Sequence, residues 1–329
     1  MDSPMDACMN RLTAIATMSF SAVVLLYEGF VYNFIFLHRI LPALGKGAEA
    51  LPLAVIFNSA YGMAIWSYFK AHCTNPGHIP DRWQMFVRSM GETVPVYAAV
   101  PQWQPGKVTY CKSCNKTRPE RAHHCHNCER CVLRYDHHCL WISNCVGFNN
   151  HKHFLLVGLY SCVGLFVALA TSLPELVYCA IALCDGAVAS NFLDGPELQS
   201  SDAVAFLLFG GLGLSVCMLL SAMLFVHLPR AARNMTAPEA NYSNMRNPFD
   251  RGSAISNMEQ IFGAFGPDWL FPVNPWRRIT DGLVFQQVGD PEWFKLDDES
   301  EAEDLWRLRY ETTSTEQSKR PMCGAPFVT

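Results

Sequence analysis

Residues Tyr110–Phe154 read YCKSCNKTRPERAHHCHNCERCVLRYDHHCLWISNCVGFNNHKHF. Seven of the fourteen cysteines fall here, between Cys111 and Cys145, interleaved with histidines. That mixture favours metal binding over disulfides, and a reducing, cytosolic location suits it. Cys111 with Cys114, and Cys125 with Cys128, have the spacing of zinc knuckles, in which a tight turn aims two sulfurs at one ion. Tetrahedral zinc takes four ligands, so two sites need eight. A stretch this polar cannot build a core of ordinary size, and bound metal is expected to supply much of its folding free energy. Once two histidines are counted as ligands, one thiol is left over. Spacing alone does not name it. Chemistry points to Cys139, which directly follows Asp136, His137 and His138. An imidazole beside a thiol can take its proton, and an acidic residue can orient that imidazole. Such a setting raises the thiolate fraction near neutrality.

Outward from this stretch the chain turns apolar. Charged residues are 16% of the 329 and apolar ones 50%, against about 25% charged in an average soluble domain. Four apolar segments run over about 12–36, 51–69, 154–173 and 203–228. Each reaches the length of roughly 17 to 25 residues that crosses a bilayer core as a helix. Basic residues set the orientation. Lys70–His153 holds 11 Lys and Arg, and the chain after Leu228 another 11, whereas His38–Ala50 holds only Arg39 and Lys46. Both termini and the Cys-rich loop are therefore expected in the cytosol, with the glycosylation sequons at Asn115, Asn234 and Asn241 unused. The net charge of −4 gives no reason to expect a nucleic-acid partner.

Asp136-His137-His138-Cys139 inside this frame resembles the DHHC protein S-acyltransferases, or palmitoyltransferases. The spacing C-x2-C-x9-HC-x2-C-x2-C-x4-DHHC-x5-C-x4-N runs unbroken from Cys111 to Asn150. The resemblance extends from the first span to about residue 280. It implies an α-helical integral membrane protein of four transmembrane helices, with a small cytosolic zinc-bound module between the second and third. It also implies two structural zinc ions, one held by Cys111, Cys114, His124 and Cys131, the other by Cys125, Cys128, His138 and Cys145. Cys139 is then the nucleophile, His137 the general base and Asp136 the group that orients it. Flanking motifs match in part. Asn75-Pro76-Gly77 stands where the family has Asp-Pro-Gly, and Thr236-Ala237-Pro238-Glu239 where it has Thr-Thr-x-Glu. Leu140 replaces the usual proline, with Trp141 in its usual place. Asn247-Pro248-Phe249-Asp250, Asn257 and Phe262-Gly263 resemble the family's carboxyl-terminal packing motif.

The implied reaction moves a long-chain acyl group from acyl-CoA to cysteines of membrane-associated proteins through an acyl-enzyme. The slot between the spans would hold the chain, with Trp141 and Gly164 beside it. Arg118, Arg121, Arg130 and Arg134 are candidates for the CoA phosphates, Arg being suited to phosphate. Gly164 falls about ten residues, roughly 15 Å, into the third span, where the family's matching side chain helps close the slot floor. A glycine there implies a slot deep enough for eighteen carbons, or close helix packing. A zinc module that only recruits partners, as in ubiquitin ligases, would need a longer gap between inner ligands. A transporter would rest on the few polar span residues Glu28, Asn33 and Asn58. The expected organisation is 1–69 with two spans, 70–153 the cytosolic loop with its module at 110–154, 154–228 two spans and a luminal loop, 229–289 a cytosolic packing segment, and 290–329 an acidic flexible tail. Leu305, Trp306, Leu308 and Tyr310 are candidates to dock a partner. Cys8, Cys73 and Cys323 are candidates for acylation. ER, Golgi and plasma membrane all fit the endomembrane location.

Overall fold

The computed structural model describes residues 4–184, 199–291, 293–296 and 301–311. The expected loop between the third and fourth spans, Cys323 and the Cys8 side chain lie outside the described residues.

The first span is α1, Pro4–Phe30, which runs on through a π-helical stretch Val31–Ile40 to Ala43. The others are α2, Ala50–Cys73; α4, His151–Cys184; and α5, Ser200–Ala232. Each exceeds its apolar run, because polar residues at the ends find partners. At the bundle end away from the Cys-rich module, Arg39 pairs with Asp202 at 2.7 Å and Lys46 with Glu175 at 2.6 Å. α4 continues through Pro174. It packs between α2 and α5, while the π-helical end of the first span closes the far end of the bundle. There Tyr32, Phe36, Phe57, Phe206 and Phe209 form a buried aromatic cluster. Outward-facing apolar side chains stay bare, Phe225 at 81% exposure being the extreme. That is the surface expected of a protein whose solvent on those faces is lipid.

A short helix α3, Asp81–Met90, precedes the Cys-rich module, whose backbone is three small hairpins. β2 (Val108–Cys111) pairs antiparallel with β3 (Lys116–Arg118), and the two-residue β1 (Val96–Tyr97) lies parallel to β2. β4 (His123–Cys125) pairs with β5 (Arg130–Val132), and β6 (His137–Cys139) with β7 (Asn144–Val146). The registers repeat. Cys111 faces Lys116, Cys125 faces Arg130 and Cys139 faces Asn144, and the three cysteines are fourteen residues apart. Each hairpin turns through one residue at positive φ: Asn115 at 52°, Glu129 at 49° and Ser143 at 47°.

The carboxyl-terminal segment returns over this module. α6, Ala254–Phe262, lies near the module ends of α4 and α5. Asn257 donates to the Ala232 carbonyl at the end of α5 and to Asp250 Oδ1, and Phe249 is buried against Trp103 and Phe285. Within the stretch expected as a flexible tail from Asp290 onward, residues 290–291, 293–296 and 301–311 are described. Residues Ala302–Tyr310 form α7, which buries Trp306 and Tyr310 against Trp83 and Phe86 of α3. Of the apolar residues singled out as a partner-docking motif, Leu305, Trp306 and Tyr310 therefore pack on the chain's own module, whereas Leu308 stays exposed. The acidic composition around them hides that face.

Candidate active site

The sulfur clusters come first, because they fix the hairpins that carry the rest. The ligand atoms of Cys111, Cys114, His124 and Cys131 lie within 4.8 Å of one another, as do those of Cys125, Cys128, His138 and Cys145. These are the two sets expected from the sequence resemblance. His124 Nδ1 sits 3.1 Å from Cys114 Sγ, and His138 Nδ1 3.3 Å from Cys128 Sγ. The Cys131–Cys114 and Cys145–Cys128 sulfurs are 3.6 and 3.5 Å apart. The edges of a tetrahedron of sulfurs about zinc are about 3.8 Å for bonds of about 2.3 Å, so both donor sets fit that ion.

The fourteen-residue repeat explains the leftover thiol. Each cluster takes the first two knuckle cysteines of one hairpin and the His and Cys of the next. Cys139 occupies the position that Cys111 and Cys125 hold in the two clusters. In its hairpin the second knuckle cysteine is replaced by Ile142, and helix α4 follows β7 in place of a further hairpin. Cys139 keeps the knuckle's geometry without the metal: the N–H groups of Ile142 and Trp141 still point at its sulfur. Burial alone would lift this thiol. Hydrogen bonds from His137 and from those two N–H groups outweigh burial and hold it below its ordinary value.

His137 Nδ1 lies 2.7 Å from Asp136 Oδ2, leaving Nε2 for the thiol. Burial disfavours the charged imidazole, but Asp136 and Cys139 outweigh it and push His137 up to about 9. Asp136 is itself 2% exposed. Burial would raise its carboxyl, yet the hydrogen bond with His137 and the nearby His151 and His227 hold it well below the usual carboxylate range. Its second oxygen, Oδ1, accepts the Ala237 N–H at 2.9 Å. That contact needs no side chain, so the missing second threonine of the Thr-Thr-x-Glu pattern costs nothing here. Asn75 likewise keeps its turn without a charge, its Oδ1 accepting the Gly77 and His78 N–H groups.

His227, near the end of α5, was not singled out from sequence. Its Nδ1 approaches Asp136 Oδ2 at 3.5 Å and its ring lies 5.1 Å from that of His137. The available signal was a histidine one helical turn before Arg230 at the end of an apolar run.

Cys139 opens on an apolar cavity of about 540 Å³ between the spans. Trp141, Phe154, Tyr68, Gly164 and Leu220 are among its walls. The arginines behave otherwise. Arg121 is buried, paired with Glu239 at 2.7 Å and stacked on Phe249 and Phe285. Arg134 is fully buried on His151 and Asn234. Both sit at positive φ, 62° and 44°, a strain held by those partners. Neither is open to a CoA phosphate, which corrects that expectation for the pair. Arg118 is buried beside Thr109, and Arg130 is exposed on the rim of a separate polar cleft. The sequon Asn234 is buried, holding Arg121, Arg134 and the Phe249 carbonyl, and has no room for a glycan.

A lowered thiol with its own imidazole, at the mouth of an apolar slot among membrane helices, is equipped for thioester exchange with a lipid-like chain. Comparison with known proteins agrees. The DHHC palmitoyltransferase family matches residues 104–245, and the chain belongs to that family of multi-pass membrane enzymes. Among its relatives, probable protein S-acyltransferase 13 of Arabidopsis thaliana is 34% identical over 254 residues, 74% of this chain and 81% of that one. Palmitoyltransferase ZDHHC20-B of Danio rerio is 29% identical over 261 residues, covering 70% and 73%. Palmitoyltransferase ZDHHC2 of Homo sapiens is 27% identical over 262, covering 72% and 66%. The protein is a protein S-acyltransferase.

Proposed function

We propose that Cys139 carries the acyl group between long-chain acyl-CoA and the cysteines of membrane-associated proteins. The observation that bears this reading is a single one: the sulfur sits where the Asp136–His137 pair meets the apolar slot. In the first step the Cys139 thiolate attacks the thioester carbonyl and the carbon–sulfur bond to CoA breaks. The His137 imidazolium gives its proton to the departing CoA thiolate. In the second step His137 takes the proton of the acceptor thiol, which attacks the acyl-enzyme and frees Cys139. Asp136 keeps His137 in the tautomer and orientation both steps need. The slot takes the alkyl chain away from water, with Trp141 and Gly164 along it. For the CoA phosphates, Arg130 is the one of the four arginines with an open guanidinium.

On this reading two zinc ions, one at each Cys3His set, brace the three hairpins and take no part in the chemistry, since all four positions at each are protein ligands. The Cys-rich face and both termini lie in the cytosol, in an endomembrane: ER, Golgi or plasma membrane. The test is acyl-enzyme formation from hexadecanoyl-CoA. Wild type should give a hydroxylamine-sensitive label on Cys139, and Cys139→Ser should give none while keeping its zinc. A Cys139→Ser protein that transfers normally would overturn the assignment.

A further inference from the structure

Among the described residues that line the slot at Cys139, Glu28 of α1 stands outside the transfer chemistry. It is 4% exposed, and neither carboxyl oxygen has a hydrogen-bond partner. Gly213 of α5 makes room for it: a Cβ there would lie 3.2 Å from Glu28 Oε2. Ser21, Tyr61, Tyr68 and Tyr160 along the wall donate their hydroxyls to the backbone carbonyls of Thr17, Leu25, Trp141 and Leu270. An isolated charge in such surroundings is very costly. The neutral acid still keeps one O–H donor and acceptor oxygens, and leaving them unmatched in the interior is costly.

Depth says what could meet it. The Thr17 hydroxyl donates to the carbonyl of Leu140, next to Cys139, at 2.8 Å. Glu28 is eleven residues further along α1, about 16 Å at a rise of about 1.5 Å per residue. An extended chain advances about 1.2 Å per bond, so the carboxyl stands roughly thirteen bonds beyond the thioester. The last carbons of a sixteen-carbon chain pass it.

We propose that Glu28 is a specificity residue that fits the slot to long-chain acyl groups bearing a hydroxyl at or near the methyl end. The inference rests on Cys139 as the acyl carrier. The substrate hydroxyl donates to one carboxyl oxygen and accepts the acid's O–H. An unsubstituted chain leaves Glu28 unmatched, and a wholly apolar slot would leave the hydroxyl unmatched. A site built to bond a hydroxyl discriminates far more sharply than one that merely tolerates it.

The test is a competition on the full-length protein in lipid vesicles, hexadecanoyl-CoA against 16-hydroxyhexadecanoyl-CoA, with mass spectrometry of the group released from Cys139. Wild type should load the hydroxylated donor at least as fast as the plain one. Glu28→Leu should shift the ratio toward the plain donor by tenfold or more, and Glu28→Gln, which keeps a donor and an acceptor, should stay near wild type. Gly213→Ala, which crowds Oε2, provides a second variant and should shift the ratio in the direction of Leu. Zinc content reports folding throughout. A wild type that loads only the plain donor, or one ratio shared by all these proteins, overturns the role of Glu28. A wild type that loads neither overturns the acyl-carrier reading and this inference with it.

Discussion

Two adjacent histidines in β6 do different work because successive residues of a strand face opposite ways. His137 turns to Asp136; His138 turns to Cys125, Cys128 and Cys145. His137→Ala should cut acyl-enzyme formation by the factor of about 10² to 10⁴ typical of losing a general base, with zinc retained. His138→Ala should lose zinc and melt at lower temperature. Zinc loss following His137→Ala instead would reverse the assignment. The buried Arg121–Glu239 pair offers a second residue-scale expectation. Glu239→Gln leaves Arg121 in the interior with an uncompensated charge, which typically costs about 3–5 kcal/mol. The single amide oxygen can accept from the Thr236 N–H, 2.8 Å away in wild type, or from Arg121 Nε, and the amide NH2 then faces the other as donor to donor, beside the Ala237 contact that steadies Asp136. Thermal unfolding should fall, and a variant as stable as wild type would show that water reaches Arg121.

At the scale of the hairpin, the two Cys3His clusters are unequal in consequence. Cys145 lies on β7, paired with the strand that bears His137 and Cys139, whereas Cys111 lies two hairpins away. Elemental analysis should give about two zinc ions per wild-type chain, as eight ligands in two closed sites imply. Cys111→Ala should drop this to about one and leave measurable acylation; Cys145→Ala should abolish acylation as well. One zinc or none in active wild-type protein would refute the two-site arrangement. Much of this was legible in the sequence. The knuckle spacings are local and survive as local turns, and the spans declare themselves by length. Which thiol is spared was not settled by spacing, although the fourteen-residue period that points to Cys139 was present in the letters. The roles of Arg121 and Arg134 were not legible, because an arginine on a solvated surface and one locked under Phe249 have the same local neighbours; burial is decided by residues a hundred positions away.

For the whole molecule, the same limit hid the return of α7 onto the module. Trp306 is fully buried among Trp83 and Phe86, so Trp306→Ala should cost about 3–5 kcal/mol, read as a lower melting temperature of the Cys-rich module and the helix packed on it. The bundle poses the remaining question, what sets the length of the slot. Gly164 lines the cavity, but its missing Cβ would point at α2, 3.8 Å from Ala60 Cβ and from Tyr61 N. That is ordinary contact, so Gly164→Ala should fold and keep the wild-type chain-length profile. A phenyl ring is another matter. The seam between α2 and α4 holds no space for it, and the cavity is the open volume within reach. Gly164→Phe should therefore fill the slot near the depth of Glu28 and shift acyl-enzyme formation from sixteen- and eighteen-carbon toward fourteen-carbon acyl-CoA, with zinc unchanged. A folded, zinc-replete Gly164→Phe enzyme with the wild-type profile would mean that the ring had parted the helices instead. The glycine would then be a packing device, and the floor would be set by other residues, Glu28 foremost.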